Sequence, residues 1–175
     1  KNVYNRYFAL ICLCFAAVMK GYPVFFALLL LKEKRYKDIL FCIIFTLIIA
    51  FVPFIFMERG FENLSKMIEN TGLNNVAYIH NFNYLFGIHK LVYLACCVFR
   101  LNTETTDMVI IFTRIFETLL VLITFVLVLV ENRLWKQLLL IACAVLLYPI
   151  NSGFYCGLYL LPAILLFFKE REIDS

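Results

Sequence analysis

Two long apolar runs constrain the fold of this chain more than any other feature. Ile39 to Met57 carries no charged residue, and Met108 to Val130 carries only Arg114 and Glu117. A helix needs about 20 apolar residues to cross the hydrocarbon core of a bilayer. Hydrophobic residues make up 64% of the chain and charged residues 16%, an apolar share far above that of a typical soluble domain. We therefore predict an all-α, polytopic transmembrane helical bundle.

A lysine interrupts the first apolar part of the chain. Lys20, Gly21 and Pro23 separate the runs Tyr7 to Met19 and Val24 to Leu31, and glycine and proline both weaken a helix there. An ionisable residue between apolar runs is a functional-site hypothesis by default. A lysine suits an anion such as a lipid phosphate or pyrophosphate. The alternative is a lysine that snorkels and only anchors a helix end.

A second break of the same kind lies near the C-terminus. Asn151 to Gly153 separates the apolar runs Leu138 to Ile150 and Phe154 to Phe168. We expect the rest of the chain to hold the two breaks near one another, with Lys20 and Ser152 at similar depth.

The number of spans has two solutions. If Lys20 lies in the turn of a hairpin, the chain has six spans, and if it lies inside one broken helix, the chain has four. The basic cluster Lys32 to Lys37 and the pair Arg133 and Lys136 indicate cytoplasmic segments under the positive-inside rule. That rule favours six spans and leaves four open.

Three further features of the sequence carry predictions. Gly60 to Asn70 has the pattern of an amphipathic interfacial helix, ended by Asn70 to Gly72. Leu85 to Phe99 is interpreted as a half-inserted or interfacial helix, because its apolar part is short. Arg114 and Glu117 predict an internal ion pair near the outer end of their span.

Several classes of site are not indicated by the sequence. The seven cysteines lie in or beside apolar runs without Cys-x-x-Cys or His/Cys ligand spacing, so we predict neither a metal site nor a disulfide framework. No basic patch is interleaved with aromatic residues on a polar face, which is not the pattern of a nucleic-acid-binding protein. No cofactor is predicted.

Three stretches together match a known pattern. The resemblance is to the bacterial membrane glycosyltransferases of the GT-C superfamily, and within them to glycosyltransferase family 87, the polyprenyl-phosphate-mannose-dependent type. The matching stretches are Met19 to Pro23 with the basic cluster Lys32 to Lys37, then His80 to Leu85, then Tyr148 to Tyr155. The departures are Asn83, where the family usually has serine, and Gly153 to Tyr155, where members often have tryptophan and histidine.

The resemblance implies a reaction and its participants. The donor would be a polyprenyl-phosphate-linked sugar, mannose or another hexose, and the acceptor a glycan or lipid on the outer side of the cell inner (cytoplasmic) membrane. Transfer would invert the sugar, with a carboxylate as general base. In the family that base lies in the first outer loop, upstream of this chain, so no catalytic residue is assigned. By this resemblance the 175 residues are a single transmembrane domain from the C-terminal part of a longer enzyme, and are inactive alone.

The resemblance also assigns site residues. Lys20 would bind the donor phosphate and stabilise the leaving group. Four further residues would line the donor or acceptor site, namely Tyr22, Asn81, Ser152 and Tyr155.

Two other functions remain open at this stage. One is a polysaccharide polymerase or O-antigen ligase-like protein, which usually depends on arginines and a histidine in a large outer loop. The other is a transporter or lipid flippase, because broken helices at the midplane are typical of transporters.

Overall fold

The computed structural model describes residues 3–79, 85–148 and 152–173. These residues form helices and one pair of two-residue strands, so the predicted all-α class is confirmed. The elements are α1 Val3–Lys20, a 3-10 helix Tyr22–Phe26, α2 Ala27–Lys32, α3 Tyr36–Phe56, α4 Glu62–Ile79, β1 Leu85–Phe86, α5 Ile88–Val98, α6 Thr103–Val130, α7 Leu134–Leu147, β2 Ser152–Gly153, a second 3-10 helix Phe154–Leu160 and α8 Leu161–Ile173.

Two of these helices are long and apolar enough to cross a membrane. They are α3, with 21 residues, and α6, with 28 residues. Both contain the long apolar runs of the sequence. Only 11% of the apolar window of α3 and 17% of that of α6 are buried inside the protein, unlike the core helix of a soluble domain.

The chain forms two compact units, residues 1–72 and 73–175. Helix α4 runs through the boundary, from Glu62 to Ile79. The predicted end of this helix at Asn70 to Gly72 is therefore wrong. Gly72 has open space where a side chain would begin, and one glycine inside a helix costs only about 1 kcal/mol relative to alanine.

In the first unit, α1 and α3 run parallel to one another. Arg6 bonds Asp38, and the rings of Phe15 and Phe45 lie 6.4 Å apart further along both helices. The first 3-10 helix and α2 must therefore run back between them. Leu10 and Leu30 share the core cluster that also contains Cys14 and Cys42. The first three elements form a hairpin followed by a parallel helix, so Lys20 lies at the turn between two antiparallel helical segments.

The turn of the hairpin follows from its sequence. Gly21 has φ 72°, a conformation that glycine adopts without steric cost. The Gly21 N–H donates to the carbonyl of Ala17 at 2.7 Å and ends α1. Pro23 then lies in the first turn of the 3-10 helix, where its missing N–H removes no helical hydrogen bond.

In the second unit, two short helices pack against α6. Helix α5 packs antiparallel along the first half of α6. The loop between the two helices has four residues, and His89 at the start of α5 contacts Glu117 in the middle of α6. Helix α7 packs antiparallel along the second half of α6. Gln137 near the start of α7 bonds Glu131 just after α6, and Tyr148 just after α7 bonds Arg114 in the middle of α6. With 11 and 14 residues, these helices are about 16 and 21 Å long. Each covers only about half of α6. A helix is thus present within Leu85 to Phe99, while its half-inserted or interfacial position stays a prediction.

The last helix returns along α7. The rings of Trp135 on α7 and Phe167 on α8 lie 5.0 Å apart, which joins the start of α7 to the second half of α8. β2 pairs antiparallel with β1, so that Leu85 faces Gly153 and Phe86 faces Ser152. This short ladder joins the segment before α5 to the segment after α7.

Candidate functional site

A buried carboxylate lies midway along α6. Glu117 is 2% exposed and accepts hydrogen bonds from two groups of His89, the backbone N–H at 2.8 Å and ring Nδ1 at 2.9 Å. The His89 side chain is fully buried. Because the carboxylate oxygen accepts from Nδ1, that nitrogen carries a proton. Within the described parts of the chain, Nε2 has no hydrogen-bond partner.

Arg114 completes the cluster from the same helix. Its Nη1 atom lies 2.5 Å from Glu117 Oε2 and 2.6 Å from the backbone carbonyl oxygen of Tyr148. Its guanidinium carbon also lies 4.9 Å from the centre of the Tyr148 ring, a cation–π distance. The predicted ion pair between Arg114 and Glu117 is thus confirmed. It lies midway along α6 rather than near an end, because the helix begins at Thr103, before the apolar run.

The ion pair stabilises the ends of two neighbouring helices. Glu117 accepts the N–H of His89 in the first turn of α5, where a negative charge interacts favourably with the helix dipole. Arg114 donates to Tyr148 at the C-terminus of α7, where a positive charge is favourable for the same reason. Helix ends leave unpaired N–H and C=O groups, and these are costly away from water. Helix α5 can therefore begin, and helix α7 can end, beside the middle of α6.

Gly87 allows the imidazole to occupy this place. Its φ is 148°, in the range that favours glycine. A Cβ atom at this position would lie 2.5 Å from Cε1 of His89, closer than any real contact. Sequence reasoning did not select Gly87 or His89. The available signal was that His89 and Lys90 both stand inside a short apolar run.

A small cavity lies beside the carboxylate. It has a volume of about 40 Å³ and is lined by Glu117, Thr124 and Tyr148 among apolar side chains of α6 and α7. A cavity of this size is large enough for a water molecule and has polar groups to bind one. It is too small for a sugar.

The strand pair brings two of the predicted stretches together. The stretch that ends at Leu85 and the stretch that contains Ser152 and Tyr155 meet through β1 and β2. The backbone of Ser152 lies in β2 and that of Tyr155 in the second 3-10 helix. Asn81 lies outside the described residues.

The other two predicted residues lie in the first unit. Lys20 is the last residue of α1 and is exposed, whereas Tyr22 is 9% exposed and begins the 3-10 helix after the turn. Lys20 lies at the end of α1 opposite the bond between Arg6 and Asp38, about 21 Å along the helix from Arg6. Lys20 and Ser152 belong to different units, so their predicted proximity stays a prediction.

Among the described residues, no group of three or more His, Cys, Asp or Glu side chains is placed to hold a metal ion. The chain matches no known family model, no curated protein and no solved structure.

Proposed function

We propose that this chain is a multi-pass membrane protein. On α6 the buried residues include Thr106 and Glu117, while large apolar residues such as Phe112 and Phe116 are exposed. Helix α3 exposes a similar apolar surface. Soluble monomers rarely expose continuous apolar surfaces of this kind, whereas lipid-facing helices do so along their length.

The charges of the first unit support an orientation. Arg6 and the cluster Lys32 to Lys37 lie at one end of the hairpin, and Lys20 lies at the other. Under the positive-inside rule the basic end is cytoplasmic. Lys20 is then on the outer side of the inner membrane.

On this basis we propose that the protein is a membrane glycosyltransferase. It would transfer a hexose from a polyprenyl-phosphate donor to a glycan or lipid acceptor on the outer side. The observation that carries the proposal is the hairpin turn at Gly21: in the proposed orientation, Lys20 would lie at the outer face, where the phosphate of a polyprenyl lipid would also lie. Lys20 would neutralise the charge that develops on the departing phosphate. Tyr22, Asn81, Ser152 and Tyr155 remain the proposed lining residues.

In the proposed transfer, the role of this chain is to bind the donor phosphate. The acceptor hydroxyl loses its proton to a carboxylate base that is not assigned here, and its oxygen attacks C1 of the sugar. The bond between C1 and the phosphate oxygen breaks, and the electron pair leaves with the polyprenyl phosphate. Lys20 holds the phosphate throughout.

A transfer assay tests this proposal. Membranes from cells that produce the full-length protein are supplied with polyprenyl-phosphate-linked mannose. We expect Lys20→Ala to lower transfer about 100-fold at normal expression, since removing one group that stabilises developing charge costs about 10²- to 10³-fold. The matched control is Lys66→Ala, an exposed lysine on α4. Equal transfer by wild type and Lys20→Ala would reduce Lys20 to a helix anchor. The absence of transfer from any polyprenyl-linked sugar would overturn the glycosyltransferase proposal.

A second candidate function is transport, and a specific observation favours it. Two half-length helices end against α6 beside a buried ion pair, and such discontinuous helices form substrate and ion sites in transporters. Uptake of a lipid-linked or charged substrate into vesicles that is abolished by Glu117→Gln, together with the absence of sugar transfer, would favour this alternative.

A further inference from the structure

A groove runs between α1 and the segment that returns from the hairpin turn. It has a volume of about 650 Å³, within the range of about 300–1,000 Å³ typical of ligand sites. Its walls are one face of α1 and one face of the first 3-10 helix and α2. The apolar wall residues are Ala9, Leu10, Leu13, Phe26, Leu29 and Leu30.

The polar lining groups all lie at one end of the groove. Asn5 and Arg6 are at the start of α1, and Glu33 and Arg35 follow α2. The apolar wall extends from Arg6 to Leu13, a distance of about 10 Å along the helix. The groove therefore has a polar mouth and an apolar interior. These match the polar headgroup and the apolar chain of an amphiphile.

The mouth has an excess of positive charge. Within residues 3–38 this end has five basic and two acidic residues, a net charge of +3, namely Arg6, Lys32, Lys34, Arg35 and Lys37 against Glu33 and Asp38. Both arginines contact Asp38, and Arg35 also contacts Glu33 at 3.0 Å. The Arg6 side chain nevertheless stays 47% exposed. Basic pockets between helices on the cytoplasmic side typically bind anionic lipid headgroups.

An unpaired ammonium lies at the same end. The Nζ atom of Lys32 is buried and has no hydrogen-bond partner among the described residues. A buried charge without a partner is costly, and an anion beside it removes that cost. This observation is independent of the shape of the groove.

We propose that the groove binds an anionic phospholipid of the cytoplasmic leaflet. Its phosphate lies at the mouth, near Arg6 and Arg35 of the lining and close to Lys32 at the end of α2, and one acyl chain lies along Ala9 and Leu13. The proposal requires the membrane placement of the chain but not the sugar transfer. A failed transfer assay therefore does not affect it.

Lipid titration of the delipidated protein in neutral detergent, followed by native mass spectrometry, tests the proposal. We expect wild type to retain phosphatidylglycerol in preference to phosphatidylcholine. Lys32→Met should weaken phosphatidylglycerol binding roughly fivefold, the effect of one cation near a charged membrane surface. The matched control is Lys37→Met, a lysine of the same basic cluster that is exposed, whereas the Lys32 Nζ atom is buried without a partner, and its binding should stay close to wild type.

Two variants test the apolar wall without changing charge. Ala9→Phe and Leu29→Trp fill the groove from opposite sides and should each abolish retention of phosphatidylglycerol. Circular dichroism shows which of them keeps the helical fold, and one folded variant is sufficient.

Three results would overturn the proposal. They are equal retention of both lipids by wild type, equal losses in Lys32→Met and Lys37→Met, and undiminished binding in a folded groove-filling variant. Glycerol phosphate without acyl chains should compete poorly. Competition as strong as that of the lipid would mean that a free phosphate site, and no lipid groove, is present.

Discussion

Each unit of this protein contains a buried carboxylate with two basic side chains as partners, and the two clusters have the same plan. Asp38 pairs with Arg35 three residues before it, at 2.5 Å, and with Arg6 from α1. Glu117 pairs with Arg114 three residues before it, also at 2.5 Å, and with His89 from α5. One partner is local in the helix and the other comes from a distant part of the sequence.

The two clusters differ in their position along the helix. Asp38 lies in the first turn of α3, and the side chains of Arg6 and Arg35 are 47% and 32% exposed. Glu117 lies at mid-height on α6, with His89 fully buried. At a helix end, water can solvate a cation that has lost its partner. Arg114 at mid-height is 21% exposed, and if α6 spans a membrane as proposed, that exposed part faces lipid instead of water, so the cost of breaking the pair remains.

The largest expected effect comes from neutralising each carboxylate in turn. Glu117→Gln should destabilise the protein by about 3–5 kcal/mol, the cost of leaving a buried charge without its partner. Asp38→Asn should cost about 1–2 kcal/mol, because its arginines can turn toward water. Unfolding of the two variants in the same detergent measures the difference. Equal losses would mean that depth along the helix does not set the cost.

A substitution of glycine tests the imidazole without changing any charge. Gly87→Ala should cost about 1–3 kcal/mol through backbone strain, and it should also displace the ring of His89, which lies 2.5 Å from the position of the added Cβ. The control is Gly72→Ala, where the added Cβ meets nothing within 4 Å. That change should be neutral or stabilise α4 by up to about 1 kcal/mol.

Nitrogen NMR of histidine-labelled protein measures the displacement of the His89 ring directly. The chain has two histidines, so a His80→Gln variant assigns the His89 signal. We expect a proton on Nδ1, hydrogen-bonded to Glu117, in wild type, and loss of this signal pattern in Gly87→Ala. An unchanged pattern would show that the ring does not depend on Gly87.

The parts of the fold that depend on nearby residues were predictable from the sequence. The apolar runs within α3 and α6 identify the two longest apolar helices, because the length of each run is sufficient to predict a helix that could cross a membrane. The break of the helix at Gly21 followed from a glycine and a proline within a short stretch, but the sequence left open whether that break is a hairpin turn or lies inside one broken helix. The ion pair of Arg114 with Glu117 followed from helical spacing.

The parts that depend on distant contacts were not predictable. His89 reaches Glu117 across 28 residues, and no local pattern gives that pairing. The end of α4 was misplaced for a related reason. Asn70, Thr71 and Gly72 are typical of a helix end, but propensity is weak, and surrounding structure often overrides it.

The smallest expected effect concerns a third carboxylate, Glu131, whose contacts are all local. It follows α6 and accepts the backbone N–H groups of Arg133 at 3.0 Å and Asn132 at 2.9 Å. The N–H of Arg133, with that of Asn132 and the nearby charge of Lys136, holds the pKa of Glu131 below its ordinary value of 4.5.

The pH dependence of stability tests this arrangement. A carboxyl with a lowered pKa in the folded state stabilises it fully above pH 4.5, and the effect is lost as the pH falls through the folded pKa. Wild type should therefore unfold at a slightly higher temperature than Glu131→Gln at pH 7, and the two should converge in acid. Because Glu131 is partly exposed, salt should reduce the difference, while it should leave the loss in Glu117→Gln almost unchanged. A salt-sensitive loss at Glu117 would place that cluster in contact with water and remove the distinction between helix end and helix middle.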